Sequence, residues 1–174
     1  MVEIEYELTY LAKYIPEEIK LVTPERVTDY YLPEHGIEHP HLRIRSKGSS
    51  YELTKKQPIE GDDSSVQTEH TIKLTAKEHA DLTAGRLRSV TKNRYKVDIA
   101  GYAAEVDIFL DNLAGLVLID FEFKDRATQQ AFVAPDVCLA DVTQEEFIAG
   151  GILAGKRYID LEPQLSKYNY KKLA

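Results

Sequence analysis

The chain opens VEIEYELTY, and the alternation in that stretch is the feature that most restricts what it can fold into. Residues two apart on an extended strand point to the same face, so Glu3, Glu5 and Glu7 stand together, with Thr9 continuing the row. Such a row of carboxylates needs either water or cations against it. The pattern recurs along the chain as same-face pairs of one sign: Arg43/Arg45, Lys92/Arg94 and Asp120/Glu122. In a half-buried sheet the polar face normally looks at solvent, and a solvated face mixes signs more freely than these pairs do.

Most of the chain reads as strands: Glu3–Leu11, His41–Lys47, Tyr51–Lys56, Val66–Leu74, Leu87–Val97, Tyr102–Leu110 and Leu116–Phe123. Lys47-Gly48-Ser49-Ser50 reads as a hairpin turn and QPIEGDDSS (57–65) as a polar loop. Thr75, with Glu78 three residues on, has the form of a helix start. The segment after Asp125, the stretch Thr143–Ala154 and Asp160–Lys167 also read as helical. Strands joined by short turns and followed by helices predict an antiparallel α+β domain, open or closed into a barrel.

At 174 residues, without an internal repeat or long linker, the chain is expected to form one domain over 1–174. A composition of 43% hydrophobic and 29% charged residues argues against disorder. The net charge of −7 argues against a broad surface for nucleic acid or anionic membrane, while leaving room for a local basic pocket. Cys138 stands alone, which excludes an intramolecular disulfide and a cysteine-based zinc cage. No apolar run approaches the roughly 18 residues of a membrane span, and the acidic start lacks a signal sequence; a cytoplasmic protein is the expectation.

The charged pairs carry the chemistry. Arg43, Arg45, Lys56, Lys92 and Arg94 suit a polyanion, since arginine forks onto phosphate oxygens and lysine offers a compact charge. Glu5, Glu7, Asp120 and Glu122 suit Mg²⁺ or Mn²⁺, hard ions that take oxygen ligands. Taken singly, each pair fits a solvated or salt-bridged face just as well.

Taken in order, the set resembles the CYTH superfamily, the triphosphate tunnel metalloenzymes, over nearly the whole chain. The matching elements are Glu5-Tyr-Glu7, Leu42-Arg43-Ile-Arg45, Lys56, Lys92-Asn-Arg94-Tyr95, Glu105-Val-Asp107-Ile-Phe109, Ile119-Asp120-Phe-Glu122-Phe123 and Asp141-Val142-Thr143. The resemblance implies an eight-stranded antiparallel β-barrel with flanking helices, whose charged lumen holds a triphosphate and divalent metal. It implies a metal-dependent triphosphatase in which Arg43, Arg45, Lys56, Lys92 and Arg94 bind substrate. Glu5, Glu7, Asp107, Asp120 and Glu122 would then hold Mg²⁺ or Mn²⁺, and Glu69 and Lys92 would act in catalysis. The expected partner is a small triphosphate-containing molecule, with no nucleic acid or membrane, and the chain is expected to be a monomer or a homodimer. The chain departs from the pattern where the family's ExExK strand ends in lysine, a position taken here by Thr9 (or by Glu7 in the alternative register). It departs again at Glu69-His70-Thr71, where a second acid is missing, and at Asp141, which replaces a glutamate. Adenylate cyclase, thiamine or nucleoside triphosphatase chemistry in the same tunnel, or triphosphate binding with little turnover, are the alternatives.

Other features point elsewhere only weakly. His35-Gly-Ile-Glu-His39-Pro-His41 reads as a loop rather than a zinc site, since a fourth ligand is not in sight. Gly150-Gly151-Ile-Leu-Ala-Gly155 lacks the phosphate-loop pattern and reads as a small-residue helix packed on the barrel.

Overall fold

The computed structural model describes residues 2–33, 41–86 and 88–173. The backbone forms strands β1 (Val2–Ala12), β2 (Glu25–Leu32), β3 (Leu42–Lys47), β4 (Ser50–Pro58), β5 (Val66–Leu74), β6 (Ser89–Ile99), β7 (Tyr102–Phe109), β8 (Val117–Phe123) and β9 (Cys138–Asp141). Four α-helices accompany them: α1 (Ala76–Thr83), α2 (Arg126–Gln130), α3 (Gly150–Leu153) and α4 (Tyr158–Leu165). The sheet order is β5-β4-β3-β2-β6-β7-β8-β1-β9, and β5 also pairs with β1. That last pairing closes strands β1 to β8 into an antiparallel barrel and removes the open sheet edges.

Strand β1 is the closing strand. Along one edge it pairs with β8, from Tyr6↔Phe123 to Leu11↔Leu118. Along the other it pairs first with β5, from Val2↔His70 to Tyr6↔Val66, and then with β9. Between those two partners the Glu7 carbonyl accepts from the buried Gln129 side chain of α2 at 3.2 Å, so the gap leaves no stranded acceptor there. The β6–β7 hairpin turns through Ala100 and Gly101, both at positive φ (55° and 86°), as a two-residue turn of this kind requires.

Two strands escape the sequence reading. β2 carries Asp29 between Val27 and Tyr31, all three buried, so a charge on the inner face disguises its alternation. β9 is only four residues long. The helix expected over Thr143–Ala154 is broken into a 3₁₀ turn (Glu146–Ile148) and α3. The capping box at Thr75 and Glu78 forms as expected. The expected loop over His35 to His39, and Leu87 at the expected start of β6, lie outside the described residues.

The apolar residues form two bodies. Outside the barrel, Val106, Ile119, Phe121 and Phe123 pack with Tyr10, and Phe132 lies against Phe121 with ring centroids 4.7 Å apart. Inside one end, Leu11, Tyr31, Val90, Phe109 and Leu118 continue the inward rows of their strands. They meet Ile148, Leu153, Leu161 and Leu165 from the C-terminal segment. The buried Tyr170 hydroxyl accepts from the Val117 amide and donates to the Gly115 carbonyl, fastening that segment to the barrel. A Cβ on Gly150 would overlap the Tyr31 hydroxyl, so α3 can approach so closely only with glycine there. Among the described residues no helix is long and apolar enough to cross a membrane.

Leu161 is fully buried in this inner body. Leu161→Ala is therefore expected to cost about 2–5 kcal/mol of unfolding free energy, read from urea denaturation.

Candidate active site

The parity that buries Phe121 and Ile119 outside turns Asp120 and Glu122 inward, and the same rule applies around the barrel. The result is a cavity of about 420 Å³ whose lining is charged on nearly every strand. In a ring of eight strands, those four steps apart face each other. Thus β3, bearing Arg43 and Arg45, faces β8, bearing Asp120 and Glu122. By the same count β6, with Lys92 and Arg94, faces β5, with Glu69, and β4, with Lys56, faces β7, with Asp107.

Every residue expected from the sequence lies on this cavity: Glu5, Glu7, Glu69, Asp107, Asp120, Glu122, Arg43, Arg45, Lys56, Lys92 and Arg94. Glu3 is exposed and lies outside the lining. Thr9 does line it, and its hydroxyl donates to Asp120 Oδ1 at 2.8 Å, while its amide donates to Thr143 Oγ1 at 3.0 Å. The sequence reading gave no role to five further acids of the cavity, Asp29, Glu52, Glu105, Glu145 and Glu146. Asp29 sits on the unassigned strand β2, and the only sequence signal for it was its place two residues before Tyr31, itself on the inner face.

Most of the charges are already paired. Asp29 receives Arg45 Nε at 2.6 Å and Nη2 at 2.8 Å. Asp107 receives Arg94 Nε at 2.7 Å and Nη2 at 2.6 Å, and also contacts Lys92. Burial opposes ionisation of both aspartates, but Arg45 at the first and Arg94 at the second overcome it; Asp107 is held down to about 2 and Asp29 well below the usual range. Asp107, expected among the metal ligands, has both of its oxygens engaged by Lys92 and Arg94 in this structure. Lys56 contacts Glu5 and stands 3.3 Å from Glu7 and 3.7 Å from Glu69. The buried Arg43 Nε has no hydrogen-bond partner among the described residues.

The wall formed by β1 and β8 is different in character. Burial, then Glu7 and Asp107, push Asp120 up to about 7. Glu5 and Glu122 are raised too, chiefly by burial. Carboxylates drawn together with too little positive charge, all offering oxygen donors, fit a hard divalent cation. Among the described residues no three such side chains already stand in ligand geometry, because Glu5 and Glu7 are turned toward Lys56.

A closed antiparallel barrel with cations facing carboxylates across its lumen defines a polyanion-binding tunnel. No family profile matches the chain. It is 31% identical over 144 residues to an inorganic triphosphatase of Nitrosomonas europaea, a match covering 82% of this chain and 91% of that enzyme. The crystal structure of an inorganic triphosphatase aligns with a TM-score of 0.60 at 26% identity, over 86% of this chain and 93% of the other. A putative adenylate cyclase from Bacillus halodurans shares the fold alone, with a TM-score of 0.52 at 13% identity over 99% and 94% of the two chains. The chain belongs to the CYTH superfamily of triphosphate tunnel proteins.

The raised Asp120 makes a prediction with a definite sign. Its folded pKa of about 7 lies above the ordinary carboxylate value of about 3.9. The folded state therefore holds the proton more tightly, and the stability this contributes is complete below about pH 4 and lost as pH rises through about 7. In chelator, Asp120→Asn should raise the urea midpoint relative to the parent at about pH 8, with a much smaller gain near about pH 4. A lower midpoint at the higher pH contradicts the assignment.

Proposed function

We propose that the protein hydrolyses inorganic triphosphate with Mg²⁺ or Mn²⁺ inside the barrel. The observation that carries this is the division of one lumen into a cation set, Arg43, Arg45, Lys56, Lys92 and Arg94, and a carboxylate wall, Glu5, Glu7, Asp120 and Glu122. The triphosphatase named in the comparison, which this chain matches over most of both lengths, supports the same reading.

Arg43 and Arg45 would grip phosphate oxygens by forked hydrogen bonds, among them the Arg43 Nε that has no partner among the described residues. Lys56, Lys92 and Arg94 would spread positive charge along the chain of phosphates. Lys92 is buried, and that burial with the neighbouring Arg94 lowers its pKa; a bound phosphate restores its preference for the charged form. Glu5, Glu7, Asp120 and Glu122 would hold the divalent ion, which supplies charge neutralisation and activates water. Glu69, which accepts from Thr71 at 2.7 Å, would orient the attacking water in line with the terminal phosphorus. A bond forms from that water oxygen to phosphorus as its proton passes to Glu69, the bridging P–O bond breaks with its electron pair on the departing pyrophosphate, and phosphate and pyrophosphate leave. Positioning and charge neutralisation in a partly dry lumen provide the rate.

The test is product analysis with tripolyphosphate, ATP and thiamine triphosphate, each with Mg²⁺ and with Mn²⁺. Phosphate and pyrophosphate from tripolyphosphate are expected; cyclic AMP from ATP, or tight binding without product, would replace this reading. Arg45→Ala should raise KM for tripolyphosphate by about tenfold or more. Glu122→Ala should abolish metal-dependent turnover, and unchanged activity and metal requirement in that variant would sink the metal assignment.

A further inference from the structure

Two arginines of the lumen are held by one device. Arg45 and Asp29 are directly opposite each other across β3 and β2, and Arg94 and Asp107 are directly opposite across β6 and β7. In both pairs the aspartate accepts from Nε and Nη2, the same edge of the guanidinium. Both aspartates are almost wholly enclosed, at 2% and 1% exposure. The edge left over, Nη1, lies 3.9 Å from Glu52 in the case of Arg45 and contacts Glu105 in the case of Arg94.

A guanidinium carries its donors in a rigid planar fork, so holding one edge fixes the direction of the other. A side chain that would otherwise sample many rotamers is then presented to the lumen in one. The short aspartate side chain, directly across from its partner, cannot follow the arginine elsewhere. Asp29 also offsets the mutual repulsion of Arg45 with Arg94 and Lys92, which share the lumen with it.

We propose that Asp29 is a positioning residue that fixes Arg45 with the Nη1 edge turned toward the phosphate chain; Arg94, held the same way by Asp107, has its Nη1 taken by Glu105. The proposal deepens the triphosphatase reading and rests on it. Asp29 touches neither substrate nor metal; it acts through Arg45.

The experiment is a double-mutant cycle on KM for tripolyphosphate, with Asp29→Asn, Arg45→Ala and the double variant. Asp29→Asn should raise KM about tenfold, with kcat within about threefold and an unchanged Mg²⁺ activation constant. In the Arg45→Ala background the same substitution should change KM by less than about twofold, because nothing is left for Asp29 to position. Should Asp29→Asn alone fail to fold through its uncompensated buried arginine, the double variant removes both charges and still supplies the comparison with Arg45→Ala. A lowered melting temperature with unchanged KM in Asp29→Asn would reduce Asp29 to a structural role and overturn the proposal. Equal KM effects in both backgrounds would overturn it too. A wild-type protein with no turnover of tripolyphosphate would instead remove the functional reading itself, which the wild-type arm reports separately.

Discussion

Cations packed into a narrow lumen repel one another, and the barrel can close only because carboxylates are interleaved with them. Two unit charges a few ångströms apart interact strongly once water is largely excluded. Arg45, Lys92 and Arg94 all face the same cavity; Arg45 and Lys92 are buried and Arg94 is partly buried. Asp29 and Asp107 meet them at hydrogen-bond distance, converting a repulsive array into a set of doubly bonded pairs. Such pairs add little net stability relative to an apolar core, but breaking one leaves a bare buried charge. The charged lumen is therefore retained for what it binds, and the apolar bodies around it supply the stability.

Those bodies are arranged accordingly. The outer cluster on β7 and β8 holds the acidic strands in register, and the inner cluster seals part of one end. The inner cluster reaches the cavity wall through Tyr31, Val90, Phe109, Leu118 and Ile148, and Lys92 Nζ lies 5.6 Å from the Phe109 ring centroid. Lys56 holds Glu5 in direct contact, with Glu7 at 3.3 Å and Glu69 at 3.7 Å.

Much of this was legible in the alternation. Each like-charged pair, from Glu5/Glu7 to Asp120/Glu122, shares a face by strand periodicity, and the structure turns all of those faces inward. What the alternation could not supply is which charge meets which, because pairing across strands depends on register. Asp107 sits beside the acids in sequence logic and beside Lys92 and Arg94 in space. Asp29 was hidden because a buried acid with buried neighbours does not look like a half-solvated strand. The break between Glu146–Ile148 and Gly150–Leu153 falls at Ala149, whose backbone is extended, next to the close approach of Gly150 to Tyr31.

The division of the lumen is tested most directly by a crystal structure with Mn²⁺ and a slowly hydrolysed triphosphate analogue, the metal located by anomalous scattering. The structure predicts a Mn²⁺ signal among Glu5, Glu7, Asp120 and Glu122, with the phosphate chain on Arg43, Arg45, Lys56, Lys92 and Arg94. A phosphate chain bound outside the barrel, or Mn²⁺ held away from that carboxylate wall, would contradict it.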